Sequence, residues 1–283
     1  MRHEMMDRSK AAGRGERRPM DEHLVSFVNP TSFEADQYRT IRHVLEASHA
    51  PKKVIAVTSA AAGDGKTTTA LNLAGVLAQA PDARILIVDL DLRMPAVGDR
   101  LGLNDQSPGL VDVMFDAALT LDDTVRRLPQ FRLAVLPAGR ALAVPYEVLK
   151  SPRLGELLQT ASRQYDYVIL DTPPLVAVQD ARLIADWVDG FVMVVGAHRT
   201  PRKLVEEALN LMEPAKLIGL VFNGDDNRRS GYYGDYYGSA QRRGWWRAGN
   251  GNGNGHGNGN GHGRGERTSV LDAALRTVLG RPR

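Results

Sequence analysis

Continuous apolar runs alternate with amphipathic segments from residue 53 to about residue 223, and this alternation constrains the fold more than any other feature. Strands that read as unbroken apolar runs are buried on both faces, as in a parallel sheet covered by helices. The sequence therefore predicts an α/β fold with a mostly parallel sheet and helices on both faces. The runs are VIAVTS, RILIVDLD, RLAVLPAG, YVILDTPP, GFVMVVGA and KLIGLVFNG, and the helix-like segments include KTTTALNLAGVLAQ, SPRLGELLQTASRQ and TPRKLVEEALNLM.

A further helix is predicted ahead of the first strand, in NPTSFEADQYRTIRHVLEAS, where Thr31 and Glu34 form a capping box. The segments outside the alternation are polar, glycine-rich or of low complexity and cannot bury a core. We expect disordered tails around one folded domain. The predicted organisation is a disordered lead at 1–30, the folded domain at 31–225, a tyrosine-rich tail at 226–248, a Gly/Asn-rich linker at 249–267 and a short amphipathic helix at 268–283.

Composition excludes several classes of protein. The 283 residues include no cysteine, so a disulfide framework, a thiolate metal site and a cysteine nucleophile are excluded. The N-terminus has no apolar stretch typical of a secretory signal, and the longest apolar runs are far shorter than the ~20 residues of a membrane span. We therefore expect a cytoplasmic protein. The basic tails suit anionic lipid, nucleic acid or an acidic partner, or simply keep a disordered tail soluble.

The first strand runs into AAAGDGKTTTALNLA, which has the pattern of a phosphate-binding loop between a strand and a helix. Glycines allow successive backbone N–H groups to surround phosphate oxygens, and the following helix adds its positive end. In this pattern Lys66 contacts the β and γ phosphates and the Thr67 hydroxyl ligates Mg²⁺. The usual opening glycine is replaced by Ala60. A glycine-rich turn without function is the alternative explanation.

Aspartates follow two other predicted strands, Asp89 and Asp91 after ILIV and Asp171 after YVIL. Ligands of open parallel sheets bind beyond the carboxyl ends of the strands, so these carboxylates are expected beside the phosphate loop. Carboxylates there hold Mg²⁺ directly or through water, and one is suited to accept a proton from an attacking hydroxyl. A single aspartate at a strand end is more often a helix N-cap. The combination predicts binding of a nucleoside triphosphate with Mg²⁺.

The segments TSAAAGDGKTTTALNLA, ILIVDLDLRMP and YVILDTPP resemble the Walker A, Walker A′ and Walker B motifs of bacterial tyrosine kinases, the autokinases of capsule and exopolysaccharide synthesis. The resemblance covers roughly residues 31–238. It implies a P-loop NTPase fold, with ATP as phosphoryl donor and Mg²⁺ as cofactor. By this resemblance the catalytic residues are Lys66, Asp89, Asp91 and Asp171, the metal ligands are Thr67, Asp89 and Asp171, and the cofactor-binding residues are Gly63, Asp64, Gly65, Lys66, Thr67, Thr68, Arg93 and Asn223.

The C-terminal segment SGYYGDYYGSA would then be the autophosphorylation site of the family. Its flanking glycines leave the backbone free to present hydroxyls to the active site of a neighbouring subunit. Phosphates would turn a basic tail acidic, because each adds a charge of about −1.5 to −2. An aromatic tail used only for adhesion is the alternative. The predicted modified residues are Tyr232, Tyr233, Tyr236 and Tyr237.

Family resemblance also implies subunit packing through an E-x-x-R-x-x-R helix. This chain has Asp36, Arg39 and Arg42 at those positions, all on one helix face and opposite the apolar one. A homo-oligomeric ring is expected, and a solvated charged stripe is the alternative. The further implied partners are a membrane-embedded polysaccharide co-polymerase in a separate chain, which would recruit this chain to the inner face of the plasma membrane, and a tyrosine phosphatase. No nucleic-acid partner is expected.

Two other functions stay open at this point. Partition and septum-positioning ATPases (ParA and MinD type) share the predicted fold but carry a lysine at the position of Ala61. Such a protein would be a non-kinase switch, and an adaptor that binds ATP without turnover is the third possibility. The replacement of that lysine and the tyrosine cluster favour the kinase. Phosphotyrosine distinguishes the kinase from both.

Overall fold

The computed structural model describes residues 19–47, 53–103, 107–178 and 180–225. The predicted tyrosine tail, Gly/Asn linker and C-terminal helix lie outside these residues. Within them, seven strands form one sheet in the order β3-β4-β2-β5-β1-β6-β7. The strands are β1 Val54–Ser59, β2 Ile85–Asp89, β3 Arg126–Leu128, β4 Leu133–Leu136, β5 Tyr167–Asp171, β6 Gly190–Gly196 and β7 Leu217–Asn223.

The predicted parallel sheet is confirmed, because all neighbouring strands run parallel except β3 and β4. Each of the six apolar runs forms one strand. The sequence analysis did not predict β3, a three-residue antiparallel edge strand of partly exposed residues. β3 lacks the continuous apolar run that identified the others, because two of its three residues are arginines.

Helices cover both faces of the sheet, and a separate hydrophobic cluster fills each side. α2 (Phe33–Glu46) and α3 (Lys66–Leu77) lie on one face, while α5 (Leu110–Phe115), α8 (Pro152–Gln164) and α10 (Arg202–Asn210) lie on the other. No helix among the described residues is long and apolar enough to cross a membrane. The helices are α1 Val25–Val28, α2 Phe33–Glu46, α3 Lys66–Leu77, α4 Val97–Arg100, α5 Leu110–Phe115, α6 Leu121–Thr124, α7 Tyr146–Lys150, α8 Pro152–Gln164, α9 Asp180–Leu183 and α10 Arg202–Asn210, with 3₁₀ turns at Pro129–Phe131, Ala185–Trp187 and Pro214–Lys216.

The prediction that residues 1–30 form a disordered lead is wrong for the last part of that range, which contains α1. α1 packs against α3, with Leu24 fully buried just before it. The Ser26 N–H donates to Asn72 Oδ1 of α3 at 2.9 Å, which anchors the short helix to the core. Local sequence does not signal this segment, because four residues form a stable helix only through tertiary packing.

The predicted cap of α2 is also displaced by one residue. The N-cap is Ser32, whose Oγ accepts a hydrogen bond from the Ala35 N–H at 3.1 Å. Thr31 and Glu34 therefore do not form the expected capping box. Serine and threonine are both favoured at the N-cap, with serine ahead, so the choice between adjacent residues also depends on where the chain turns into the helix.

Candidate functional site

The turn between β1 and α3 has the shape of a phosphate-binding loop. Gly63 and Gly65 have φ angles of +82° and +94°, in the left-handed region that glycine tolerates and other residues rarely adopt. α3 begins at Lys66, directly after the turn. The free N–H groups and positive dipole end of this helix are therefore presented beside the loop, as phosphate binding requires. This geometry fits the roles predicted for Gly63, Gly65, Lys66 and Thr67.

Asn223 lies against this loop from the end of β7. Its Nδ2 donates to the backbone carbonyl of Asp64 at 2.9 Å. A side chain at Gly65 would overlap the Asn223 amide, whose Cγ lies 3.1 Å from the position of an added Cβ. The structure thus brings Asn223 to the loop, and its contact with a cofactor stays a prediction. Thr68 is half-buried in the first turn of α3, and its contact with a nucleotide stays a prediction.

The Asp64 carboxylate turns into the protein and is 1% exposed. Its Oδ2 accepts the N–H of Ala61 at 3.0 Å, and its Oδ1 accepts the hydroxyl proton of Thr200 at 2.5 Å. The sequence analysis grouped Asp64 with residues that bind the cofactor. The structure instead gives its carboxylate internal partners, which hold the loop, and like charge disfavours contact between this group and a phosphate.

Three buried carboxylates converge beside the amine of Lys66. β2 and β5 are neighbours, with Asp89 opposite Asp171 in the register. Lys66 Nζ lies 2.7 Å from Asp91 Oδ2 and 3.9 Å from Asp171 Oδ1. The predicted convergence of the phosphate-loop lysine and the strand-end aspartates is therefore present in the fold.

Within this cluster, Asp89 has backbone donors on both of its oxygens, whereas Asp91 has one, the Met94 N–H, on its Oδ1 at 3.1 Å. Asp89 Oδ2 accepts the N–H groups of Ala96 and Val97 at 2.9 and 3.0 Å, where α4 begins. Its Oδ1 accepts the N–H of Asp91 at 3.2 Å. Asp89 thus stabilises the start of α4, the role that a lone strand-end aspartate most often has. Direct metal ligation by Asp89 stays a prediction.

The electrostatics of the cluster reflect burial together with like charge. Burial and the neighbouring Asp171 raise the pKa of Asp89 to about 8, although the N–H groups of Val97 and Ala96 oppose this shift. Burial also raises the pKa of Asp171 to about 6, while Lys66 lowers it. Burial alone would lower the pKa of Lys66, but the carboxylates of Asp171 and Asp91 outweigh burial and raise it. The cluster has an excess of negative charge that a cation would relieve.

Asp171 has the free oxygens that a hydrated cation requires. Its side chain is fully buried, and neither oxygen makes a hydrogen bond of normal geometry within the described residues. The Thr67 hydroxyl is nevertheless near enough to help lower its pKa. No group of three or more acidic or histidine side chains in the described ranges could by itself enclose a metal ion. Mg²⁺ usually keeps several waters and binds one or two protein groups together with nucleotide phosphates.

Arg93, predicted to contact the cofactor, is held by another part of the fold. Its Nε donates to Asp180 Oδ2 at 2.7 Å, and its Nη1 donates to the carbonyl of Ala143 at 3.0 Å. These bonds fix the loop after β2 against α9. A phosphate would have to compete with the Asp180 carboxylate for this guanidinium, so cofactor binding by Arg93 stays a prediction.

The predicted oligomerisation residues lie on α2, but the two arginines also contact their own subunit. Arg42 Nη1 donates to the carbonyl of Val76 at the end of α3 at 3.0 Å. Arg39 Nη2 donates to Gln79 Oε1 at 3.0 Å, and Asp36 pairs with Arg39. The face of α2 that carries these residues therefore also contacts the rest of its own subunit, and it does not lie simply opposite the packed face as expected. Its role between subunits stays a prediction.

Sequence reasoning missed Thr200 and Asp180, which the structure places against predicted site residues. Thr200 follows β6 in GAHRTP, so the rule that directed attention to polar residues after β2 and β5 would also have found it. Nothing in the local pattern marks Asp180. The predicted autophosphorylation residues Tyr232, Tyr233, Tyr236 and Tyr237 lie outside the described residues.

Comparison with known proteins identifies the family. Residues 52–189 match the sequence profile of an AAA domain. The tyrosine-protein kinase YwqD of Bacillus subtilis is 35% identical over 224 residues, which cover 78% of this chain and 93% of YwqD. The chain belongs to the bacterial tyrosine kinase family. Its enzyme class is therefore that of protein-tyrosine kinases, and the P-loop fold gives it a nucleotide-binding site.

Solved structures agree with this family assignment. The crystal structure of the VpsO kinase domain superposes with a TM-score of 0.63 at 32% identity, covering 71% of this chain and 95% of that domain. The cell division ATPase MinD of Pyrococcus furiosus gives a TM-score of 0.50 at 25% identity, covering 62% of this chain and 75% of MinD. This chain resembles both structures in fold. Its sequence identity is higher to the VpsO kinase domain than to MinD.

A second curated relative connects the family with polysaccharide export. The succinoglycan biosynthesis transport protein ExoP of Rhizobium meliloti is 32% identical over 222 residues. The match covers 76% of this chain but 28% of ExoP. This bacterial tyrosine kinase therefore corresponds to less than a third of that longer transport protein.

Proposed function

We propose that this chain is an ATP- and Mg²⁺-dependent autokinase that phosphorylates the tyrosine cluster of a neighbouring copy. The cluster consists of Tyr232, Tyr233, Tyr236 and Tyr237. Phosphorylation of this segment regulates the polymerisation and export of an exopolysaccharide or capsule. The single observation that carries the proposal is the convergence of the Lys66 amine, two buried carboxylates and the phosphate loop at one edge of the sheet.

Phosphoryl transfer needs little covalent chemistry from the protein, since catalysis comes from alignment and charge neutralisation. The phosphate loop holds the β and γ phosphates, and Lys66 leaves Asp91 to contact them. Thr67 and Asp171 would hold Mg²⁺, which would supply positive charge against the transferring group. Asp91 then lies close to the reacting phosphate and serves as the base for the tyrosine hydroxyl. The support for this role is that Asp91 is buried and that its Oδ2 faces Lys66, while the Met94 N–H occupies only its Oδ1.

Transfer between subunits follows from the position of the tyrosines in the sequence. β7 ends at Asn223, and Tyr232 follows after a short glycine-containing segment. Delivery to a neighbour avoids folding this segment back on its own sheet edge. A homo-oligomeric ring, with contacts through Asp36, Arg39 and Arg42, would place a neighbour within reach. Light scattering on the unphosphorylated protein tests the ring, and a monomeric mass at micromolar concentration would contradict it.

The partners follow from the polysaccharide role. A membrane-embedded co-polymerase in a separate chain activates the kinase and recruits it to the inner face of the plasma membrane. A tyrosine phosphatase reverses the modification. The support is the match to a transport protein of succinoglycan biosynthesis, of which this chain covers 28%. Co-purification of the full chain with such a co-polymerase tests the recruitment.

The decisive experiment maps phosphate by mass spectrometry after incubation of the purified protein with Mg-ATP. The matched variants are Lys66→Met, which removes the ammonium group, and a protein with phenylalanine at all four tyrosines of the cluster. We expect phosphate on the cluster of the wild type and none in either variant. The cytoplasmic segment of a candidate activator is included in a parallel reaction.

Two results would contradict the proposal. Phosphate on the cluster of the Lys66→Met protein would show that another kinase is responsible. Hydrolysis of ATP without any phosphotyrosine, even with the activator segment present, would favour a nucleotide-dependent switch of the ParA or MinD type.

A further inference from the structure

The loop between β6 and α10 reaches the phosphate loop, although the two are far apart in sequence. Thr200 closes a tight turn, since its N–H donates to the Gly196 carbonyl at 2.9 Å and its Oγ1 accepts the Gly196 N–H at 3.1 Å. The same hydroxyl donates to Asp64 Oδ1 at 2.5 Å. The hydroxyl of Thr200 therefore accepts a hydrogen bond within its own turn and donates one to the phosphate loop, so that this one group joins the two loops.

Asp64 transmits this contact into the phosphate loop. Its second carboxylate oxygen accepts the N–H of Ala61 at 3.0 Å, three residues earlier in the loop. The approach is close: a Cβ added at Gly196 would lie 2.9 Å from Asp64 Oδ1. The carboxylate thus spans the loop from inside, with Ala61 on one oxygen and Thr200 on the other.

Arg199 adds a contact from outside. Its guanidinium donates to the carbonyl of Gly63 and lies 4.0 Å from Asp64 Oδ1, with the side chain 65% exposed. A buried carboxylate inside a loop that binds anions repels them unless its charge is balanced. Arg199 supplies positive charge next to Asp64 and at the same time fixes the peptide before it.

We infer that Thr200 and Arg199 are positioning residues for nucleotide binding, acting through Asp64 and Gly63. They hold the phosphate loop in its binding shape before the nucleotide arrives, so that less conformational entropy is lost on binding. Removal of either contact lets the loop relax and weakens nucleotide affinity, while the groups that perform phosphoryl transfer stay in place. The inference rests on the proposed function, because it assumes that the loop binds Mg-ATP.

The test compares Thr200→Val with Thr200→Ser by isothermal titration with Mg-ATP and by the steady-state kinetics of tyrosine phosphorylation. Valine keeps the shape but removes the hydroxyl, and serine restores it. We expect Kd and KM for ATP to rise roughly tenfold in Thr200→Val, as for a lost hydrogen bond to a charged group. The kcat should stay within about twofold, and Thr200→Ser should bind like the wild type. Thr160→Val is the matched control, because its exposed hydroxyl bonds within its own helix.

Arg199→Met tests the second contact and keeps the inference falsifiable if Thr200→Val does not fold, since Arg199 is mostly exposed. We expect Kd for Mg-ATP to rise about threefold or more. Affinities of folded Thr200→Val and Arg199→Met within twofold of the wild type would overturn the inference. If Thr200→Val does not fold, an unchanged affinity of Arg199→Met overturns it. A wild type that binds no Mg-ATP would overturn the proposed function, whereas a wild type that binds Mg-ATP beside variants of unchanged affinity would overturn this inference alone.

Discussion

The Lys66 amine lies 2.7 Å from Asp91 Oδ2 and 3.9 Å from Asp171 Oδ1. The lysine of the phosphate loop is therefore paired with carboxylates at the ends of neighbouring strands. In the proposed function, nucleotide phosphates exchange with Asp91 for the ammonium group of Lys66. This exchange is the basis of the first prediction.

Replacement of Asp91 by asparagine is expected to lower the rate of tyrosine phosphorylation on the order of 100-fold or more, because it removes the proposed base. Binding of Mg-ATP should be retained, since the phosphate loop and Lys66 are unchanged. Quantitative phosphotyrosine detection and calorimetric titration measure the two effects. The control is Asp99→Asn, an exposed aspartate shortly after the same strand. Wild-type phosphorylation by Asp91→Asn would contradict the assignment.

Gly65→Ala is expected to abolish measurable affinity for Mg-ATP. Alanine at φ +94° is strained by about 1–2 kcal/mol, and its methyl group would overlap the amide of Asn223. Calorimetric titration of the folded variant measures the loss. Gly219→Ala in β7 is the matched control, because an added Cβ there has no described atom within 4 Å. Equal affinity of the two variants would show that the loop tolerates a side chain at Gly65.

Gly155→Ala is expected to lower the free energy of unfolding by about 1–3 kcal/mol, the usual range for overpacking. Gly155 lies in α8 beneath Trp187, and a Cβ there would lie 2.6 Å from ring carbons Cε3 and Cη2. Alanine improves helix propensity by up to about 1 kcal/mol, so the steric overlap must outweigh that gain. Urea denaturation followed by circular dichroism measures the change. The double variant Gly155→Ala/Trp187→Ala should lose less free energy of unfolding than the two single variants together. Additive losses would exclude the steric overlap.

Arg42→Ala is expected to lower the free energy of unfolding by about 1 kcal/mol, because the guanidinium stabilises the carbonyl end of α3. Its Nη1 donates to the Val76 carbonyl at 3.0 Å, and the side chain is 25% exposed. Arg202→Ala is the control, since that side chain is 81% exposed and pairs only locally with Glu206. Urea denaturation should show no measurable change for Arg202→Ala. Identical stabilities of the two variants would contradict the packing role of Arg42.

In metal-free buffer, the free energy of unfolding is expected to decrease as pH rises from about 4 towards 8. Burial raises the pKa of Asp89 to about 8, whereas an exposed aspartate titrates at about 3.9. Between these values the folded chain retains a proton that the unfolded chain has lost. The free energy of unfolding therefore falls by up to about 1.4 kcal/mol for each pH unit. Urea denaturation at pH 5, 6.5 and 8 measures the slope. Asp89→Asn should reduce it, and an unchanged slope in this variant would assign the effect to another group.

Much of the fold was predictable because most of its strands are buried on both faces. VIAVTS and YVILD have apolar runs that only a covered parallel sheet accommodates, and they form β1 and β5 side by side. β3 and α1 were not predictable in the same way. Arg126–Leu128 is partly exposed, and Val25–Val28 is too short to show a helical period, so both depend on the segments that they pack against.

The candidate site was likewise predictable in part. That Asp89, Asp91 and Asp171 converge near Lys66 was predictable, since parallel strands end at one edge of the sheet. Their separate roles were not. The pairing of Asp89 with the N–H groups of Ala96 and Val97 depends on how the chain turns after β2, and no spacing of residue types encodes that turn.

The sequence by itself determined the strand–loop–helix unit, the order of apolar runs and the edge at which the carboxylates emerge, because these depend on local periodicity and on the direction of parallel strands. Only the tertiary structure decided the partners of the side chains. Asp64 meets Thr200 across 136 positions, and Arg93 meets Asp180 across 87. Such contacts depend on how distant segments pack to within hydrogen-bond distance, and local sequence carries no measure of that distance.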